Sequence, residues 1–255
     1  MHPRDHFDPS PFVLGDSIPP DLGRAIYQDG GAPERGTWYS GDIALLSARP
    51  RVAIIGSRVA SPESLRLIES LAIDLVSRGA TIVSGAARGT DMAAHLAALA
   101  AGGTTVACLP FGLGSLTCGM GRPELLAAAT AKLVLLSPFV PGQVPTRATP
   151  IIRNRLIAAL ADVVVAGEAG VNSGTMHCLK FAFSLGRPVF HMRVADADAP
   201  LQSLYRHFAQ IGSVPFSAGE MSPASLAGEV IARAREFARV RAAADSAQLS
   251  ILGES

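Results

Sequence analysis

The segment Arg51-Val-Ala-Ile-Ile-Gly56, echoed by Thr81-Ile-Val-Ser-Gly85 and Val163-Val-Val-Ala-Gly-Glu168, constrains the fold more than any other part of the chain. Each is a short burst of β-branched and aliphatic residues that stops at Gly or Ser, with a helical pattern starting a few residues later. Inside the bursts no polar residue alternates, so both faces of each strand must be covered, the condition of a parallel sheet sandwiched by helices. Ligands of such sheets bind beyond the carboxyl ends of the strands. Arg58, Arg88, Arg153 and Arg155 all fall at or just past those ends. Guanidinium groups beside free helical N–H groups select phosphate, so the first expectation is an anion-binding α/β domain.

The pattern repeats along the chain. Strands are predicted at 51–56, 80–84, 104–109, 132–137, 162–167 and 188–192, and helices at 62–77, 88–101, 123–131, 152–160 and 174–185. Ser61-Pro62-Glu63 reads as an N-cap, a first-turn proline and an acid at the positive end of a helix. A Gly-rich loop spans 110–121 and a Pro/Gly-rich connection spans 138–150. Residues 1–36 read as a Pro- and Gly-rich lead-in with one short helix near Pro20–Tyr27, and Thr37–Ser47 as a short strand or helix. After the core, 222–242 form an Ala/Arg-rich helix, and the last dozen residues are expected to fray. The division is an N-terminal extension (1–48), a core (49–195) and a C-terminal helical extension that completes the domain (196–255).

Hydrophobic residues make up 49% of the 255 and charged residues 17%, enough apolar surface for a sizeable core. No apolar run is long enough to span a bilayer, and the first residues lack the apolar stretch of a secretory signal. Cys108, Cys118 and Cys178 are scattered without a C-x-x-C pair, which argues against a disulfide framework and against a structural metal site. The expected location is cytoplasmic. Charge is unevenly placed: residues 1–50 carry four arginines against seven acids, 51–195 carry thirteen Lys plus Arg against seven, and 196–255 carry five arginines against seven. The positive excess sits in the core, where an anionic partner would need it.

Three motifs carry the chemistry. Gly56-Ser57-Arg58 ends the first strand with a glycine that allows close approach, a hydroxyl and a two-pronged phosphate ligand. It is not G-x-G-x-x-G, so a dinucleotide cofactor is not indicated. Ser84-Gly-Ala-Ala-Arg-Gly-Thr-Asp91 follows the second strand and opens a helix; Asp91 reads as a cap or a partner for Arg88, and His95 as a packing or hydrogen-bonding residue. Arg153-Asn154-Arg155 follows a loop carrying Arg147. Three arginines and an Asn near one helix start favour a polyanion over a small metabolite. Asn172-Ser173-Gly174-Thr175 opens a second anion-friendly helix.

In order and spacing, these residues resemble the DNA-processing protein A (DprA/Smf) family, whose pattern runs V-A-I-V-G-S-R, V-S-G-x-A-x-G-x-D, R-N-R-I-I-A-x-L-S, a V-V-V-x-E-A strand and S-G-[ST]. Here they are Val52–Arg58, Val83–Asp91, Arg153–Leu160, Val163–Ala169 and Ser173–Thr175, spanning about residues 50–192. The resemblance implies an extended Rossmann-like, mostly parallel sheet with helices on both faces and small N- and C-terminal extensions. It implies a non-enzymatic homodimer without cofactor, metal or membrane that binds single-stranded DNA, protects incoming DNA in natural transformation and assists the RecA recombinase. By motif, Gly56, Ser57 and Arg58 form one side of the DNA pocket with Ser84, Gly85 and Arg88 beside it. Arg153, Asn154 and Arg155 shape the neighbouring wall, Arg147 reaches the backbone, and Ser173 opens the second helix terminus. The chain departs from the family where Pro150-Ile151 replaces Phe-Pro, and a C-terminal winged-helix module is not expected after the core.

Two other readings follow from the same fold. A sensor of a small nucleotide would use the same helix termini. A nucleotide phosphoribohydrolase of the lysine-decarboxylase-like type would need P-G-G-x-G-T-x-x-E; here Cys178 stands at the carboxylate position, and Glu168 lies before the loop.

Overall fold

Eight strands lie in the order β1-β5-β4-β3-β2-β6-β7-β8, with β1 (Trp38–Ser40) antiparallel to β5 and every other pair parallel. This computed structural model describes residues 37–118, 123–128 and 131–253. The helix expected near Pro20–Tyr27 lies outside them. The strands the sequence pattern marks are β2 (Arg51–Ile55), β3 (Thr81–Ser84), β4 (Thr105–Cys108), β5 (Leu133–Ser137), β6 (Val163–Ala166) and β7 (Val189–Met192), all fully buried. Between them run α1 (Pro62–Ser77), α2 (Thr90–Ala100), α3 (Pro123–Ala127), α4 (Thr149–Leu160) and α5 (Gly174–Ser184). The fold is thus the α/β, Rossmann-like sheet expected, with helices on both faces.

Alternation along each strand assigns its side chains to one layer or the other. Val52 and Ile54 face Ile68, Leu71 and Leu75 of α1, together with Ala94 and Ala98 of α2. Ala53 and Ile55 face Leu156, Ile157 and Leu160 of α4, together with Leu179 and Ala182 of α5. A third cluster at the β4–β5 side joins Leu99, Leu109, Phe111, Leu113 and Leu125.

Local signals set the helix ends. Ser61 Oγ accepts from the Ser64 N–H at 3.2 Å, Pro62 occupies the first turn and Glu63 follows it. Ser61→Ala is expected to lower stability by about 1 kcal/mol, read as a shift of the urea midpoint with the slope unchanged. Helix α4 starts three residues before the expected position. Thr146 Oγ1 accepts from the Thr149 N–H, and Pro150 serves as a first-turn residue rather than as part of the loop.

Three elements go beyond the expectation. Helix α6 (Ala199–Gln210) and strand β8 (Val214–Phe216) follow β7, and β8 pairs with β7 through Phe190, His191 and Met192. Helix α7 (Pro223–Gly253) is longer than the 222–242 expected and includes most of the last dozen residues. It packs Leu226, Val230 and Ile231 into the α1 layer.

At the amino-terminal edge of the sheet, arginines are used inside the fold. Asp162, fully buried, accepts from the Arg51 N–H at 2.8 Å and from Arg49 Nη1, and Arg51 Nη1 donates to the Leu46 carbonyl at 2.8 Å. Arg187 donates to the carbonyls of Ala158 and Ala159 and lies 4.8 Å over the Phe237 ring. Burial brings its guanidinium down to about 10, with the nearby Arg241 charge adding to the effect. Part of the core's positive excess therefore holds the fold together and is not displayed to a partner.

Candidate nucleic-acid interface

Strands β3, β4 and β5 extend from one side of β2, and β6, β7 and β8 extend from the other. The chain reverses direction across the sheet at the β2–β6 pair, and that reversal opens a crevice at their carboxyl ends. A cleft of about 380 Å³ lies there. It is lined by Ile55, Gly56, Ser57, Arg58, Ala87, Asp91, Pro150, Arg153, Asn154, Ile157, Ser173, Gly174, Thr175 and Cys178. Three helices open onto it: α2 through Asp91, α4 through Pro150 and α5 through Ser173 to Thr175.

Arg153 is the organising residue. It is buried, and its Nη1 donates to the carbonyls of Gly85 and of Cys108, the latter at 2.6 Å. A Cβ on residue 85 would collide with that guanidinium, so Gly85 is glycine because Arg153 fills its side-chain space. Gly56 has a similar reason, since Thr90 packs where its Cβ would stand. Close approach of a ligand, which the sequence suggests for Gly56, is not what excludes a side chain at either position.

Asp91, also buried, accepts from the Ala87 N–H at 3.3 Å. Desolvation raises its carboxyl above the usual range, and the Arg153 charge pulls it back down. Its electrostatic partner is therefore Arg153; of the two roles the sequence suggests, the ion pair with Arg88 is not formed, and the N-cap position of α2 is held by Gly89. His95 is fully buried behind this pair. Its Nε2 accepts from the Ala86 N–H at 3.3 Å, so Nδ1 carries the proton toward Thr105 Oγ1 at 2.7 Å, and Thr105 in turn donates to the Ile82 carbonyl. The chain holds Ala86 at φ 52°, a left-handed conformation that costs a residue with a Cβ about 1 kcal/mol. Burial, helped by Arg153, lowers His95 to about 3. The packing and hydrogen-bonding role expected for His95 is the one it has.

The anion-facing groups stand on this frame. Arg58 is exposed at the rim and close enough for its charge to act on Arg153. Ser173 caps α5 without a side-chain cap bond, and its Oγ is buried with no hydrogen-bond partner; Arg153 Nε is likewise unpartnered. Asn154 Nδ2 donates to the Gly174 carbonyl at 3.1 Å and ties α4 to the start of α5. Two guanidinium groups, an unused hydroxyl and the amino-terminal end of α5 make a phosphate-accepting surface, whereas the first N–H groups of α4 are spent on Thr146 Oγ1 and the Ala148 carbonyl. Cys178 lies in the wall, where burial pushes its thiol up to about 12, so it supplies no thiolate for chemistry at neutral pH.

The model of DNA recombination-mediator protein A matches residues 24–210. The chain belongs to that family. DNA processing protein DprA from Streptococcus pneumoniae is 34% identical over 212 residues, covering 83% of this chain and 72% of the relative. A DprA from Mycobacterium tuberculosis is 36% identical over 178 residues, covering 68% of this chain and 46% of the relative; the chain thus spans about half the length of that curated relative. The S. pneumoniae DprA crystal structure superimposes with a TM-score of 0.66 at 30% identity, covering 85% of this chain and 73% of that one. DNA processing protein A from Helicobacter pylori, studied for its single-stranded DNA binding mode, gives 0.67 at 28% identity, covering 82% and 91%.

Of the residues that the DprA resemblance marks, Gly56, Ser57, Arg58, Arg153, Asn154 and Ser173 converge on the cleft. The others do not line it. Ser84 is fully buried and donates to the Ile54 carbonyl at 2.5 Å, and Gly85 is covered by Arg153. Arg88 and Arg147 are exposed outside the lining, Arg147 three residues before Pro150. Arg155 turns away to lie 4.9 Å over the Phe181 ring. Thr175, read from the sequence as part of the anion-friendly start of α5, is in the cleft, whereas sequence reasoning missed the placement of Cys178 and Asp91 there. Cys178 sits three residues past Thr175, a spacing that puts both on the same face of α5, toward the cleft. Glu168 belongs to the neighbouring cleft beside β7, with its Oε2 held by the Ser61 N–H at 2.9 Å.

Proposed function

We propose that this chain binds single-stranded DNA at the β2–β6 cleft, protects incoming DNA and assists RecA-mediated recombination during natural transformation, acting as a cytoplasmic homodimer without catalysis. The observation that carries the reading is the convergence of Arg58, buried Arg153 and the unpartnered Ser173 hydroxyl on one cleft at the sheet's reversal point. Family membership supports the recombination role, and the single-stranded DNA binding of the H. pylori relative supports the ligand. Arg147 and Arg88, exposed outside the cleft, extend the contact along the phosphate backbone. In this reading residues 49–195 carry the interface, and residues 196–255 complete the same sheet.

The cleft's volume, about 380 Å³, favours a second reading, a single nucleotide bound alone. Fluorescence anisotropy of labelled oligo-dT across a salt series separates the two. Arg58→Ala is expected to weaken the strand about tenfold and to reduce the slope of log K against log salt by about 0.7. Arg147→Ala should do the same for one further phosphate. A mononucleotide that displaces the strand at equal concentration would favour the sensor.

A further inference from the structure

We propose that Glu168 is a positioning residue for the single strand. Its carboxylate holds the turn that presents Ser57 and Arg58, and so strengthens the binding of an anion although it is itself an anion. The inference rests on the single-strand reading above and concerns a residue outside the cleft lining. On charge alone, a carboxylate one loop away from a phosphate should weaken binding by about twofold across water. The hydrogen bonds argue for the opposite sign.

Arg58 makes no hydrogen bond or ion pair with any described residue, so its backbone alone places it. That backbone is held from two sides. On the α2 side, the Thr90 N–H donates to the Ser57 carbonyl at 3.1 Å, and a Cβ on Gly89 would strike the same carbonyl. On the β6 side, Glu168 takes both ends of the turn. Its carbonyl accepts from the Ser57 N–H at 2.7 Å, and its Oε2 accepts from the Ser61 N–H at 2.9 Å. Within the turn, the Val59 N–H donates to Ser57 Oγ at 3.1 Å, which leaves the hydroxyl proton for a ligand.

Of these ties, the carboxylate contact is the one supplied by a side chain remote in sequence. Without it the turn stays fixed at Ser57 but is free to swing toward Ser61, where the chain enters α1 through Pro62. Ordering the turn and the long Arg58 side chain would then fall on the binding step, a loss of roughly three- to tenfold. The carboxylate also stands at the start of α1, since Ser61 is that helix's N-cap. The positive end of the helix offsets part of its charge, which lowers its repulsion of a nearby phosphate.

The test measures oligo-dT binding by anisotropy at low salt for the wild type, Glu168→Ala and Glu168→Gln, each with Arg58 present and with Arg58→Ala. Glutamine keeps the acceptor and drops the charge; alanine drops both. With Arg58 present, Glu168→Ala should weaken binding roughly three- to tenfold, whereas Glu168→Gln should bind at least as tightly as the wild type. With Arg58→Ala, neither substitution should weaken binding further, because the residue acts through Arg58. Glu168→Ala binding as tightly as the wild type or tighter would overturn the proposal, and so would failure of glutamine to restore affinity. An equal loss from Glu168→Ala in both backgrounds would also overturn it, by tracing the effect to the fold as a whole. Each of these leaves the single-strand reading in place; a folded wild type that binds no strand at low salt would remove both.

Discussion

Replacing Arg153 by methionine is expected to destabilise the protein by about 4 kcal/mol, with loss of the cleft. The guanidinium satisfies two buried carbonyls, those of Gly85 and Cys108, and each left unpaired costs about 1–3 kcal/mol. It also supplies, among the described residues, the opposing charge that acts on Asp91, and removing one partner of a buried charge pair leaves the other uncompensated. Lysine at 153 keeps the charge but lacks the fork that reaches two acceptors, so Arg153→Lys should recover no more than about half of the loss. The same contact is testable from its other side. Gly85→Ala drives a Cβ into the guanidinium and should cost a similar amount. Combined with Arg153→Met, it should cost less than the two losses together, by about 1–2 kcal/mol, because methionine can bend where the guanidinium cannot. Urea unfolding of the wild type and the four variants reads all of this; strict additivity of Gly85→Ala and Arg153→Met would show that the two residues do not share one space.

Acid is expected to remove about 4 kcal/mol through His95 alone. The imidazole titrates near 6.5 when unfolded and near 3 when folded, so the unfolded chain binds the extra proton between those values. Stability from this group is fully present above pH 6.5 and falls as the pH drops toward 3. His191, lowered to about 4 chiefly by burial, acts in the same direction. Asp91 acts in the opposite one: its raised folded pKa favours the native state most below the ordinary aspartate range and less as pH rises. The difference between the wild type and His95→Gln isolates the histidine. Glutamine is neutral at every pH, so His95→Gln should be less stable than wild type at pH 7 and should lose less between pH 6.5 and 4. Parallel pH profiles would show that His95 is not held neutral by its burial.

The strands of the core were legible because a buried parallel strand has no polar side, and the β-branched bursts at Val52, Ile82 and Val163 state this directly. Gly-Ser-Arg after β2 and Ser-Gly-Thr before α5 were legible as cleft residues, since loops at the carboxyl edge have few other places to be. The inward fate of Arg153 was not. A sequence shows an arginine at a helix start but not the glycine opposite it that makes room for a guanidinium. Arg155 was misplaced for the related reason that Phe181, its ring partner, is remote in sequence. The missed helix α6 did carry a signal. Leu201, Leu204, Tyr205 and Phe208 stand at helical spacing behind Asp198, whose side chain accepts from the Leu201 N–H, yet only Phe208 is buried. Strand β8 carried almost none: three residues with a proline at the centre are possible only at a sheet edge, where one ladder suffices.

The central claim, that a single strand lies in the cleft over β2 and β6, is tested most directly by photo-crosslinking. An oligonucleotide containing 5-iodo-deoxyuridine is bound at low salt, irradiated, and the attached peptides are sequenced. The account predicts adducts within residues 56–61, 147–155 and 170–175, all reduced by Arg58→Ala. Adducts confined to the arginine-bearing stretch 233–241 of α7, unaffected by Arg58→Ala, would contradict it.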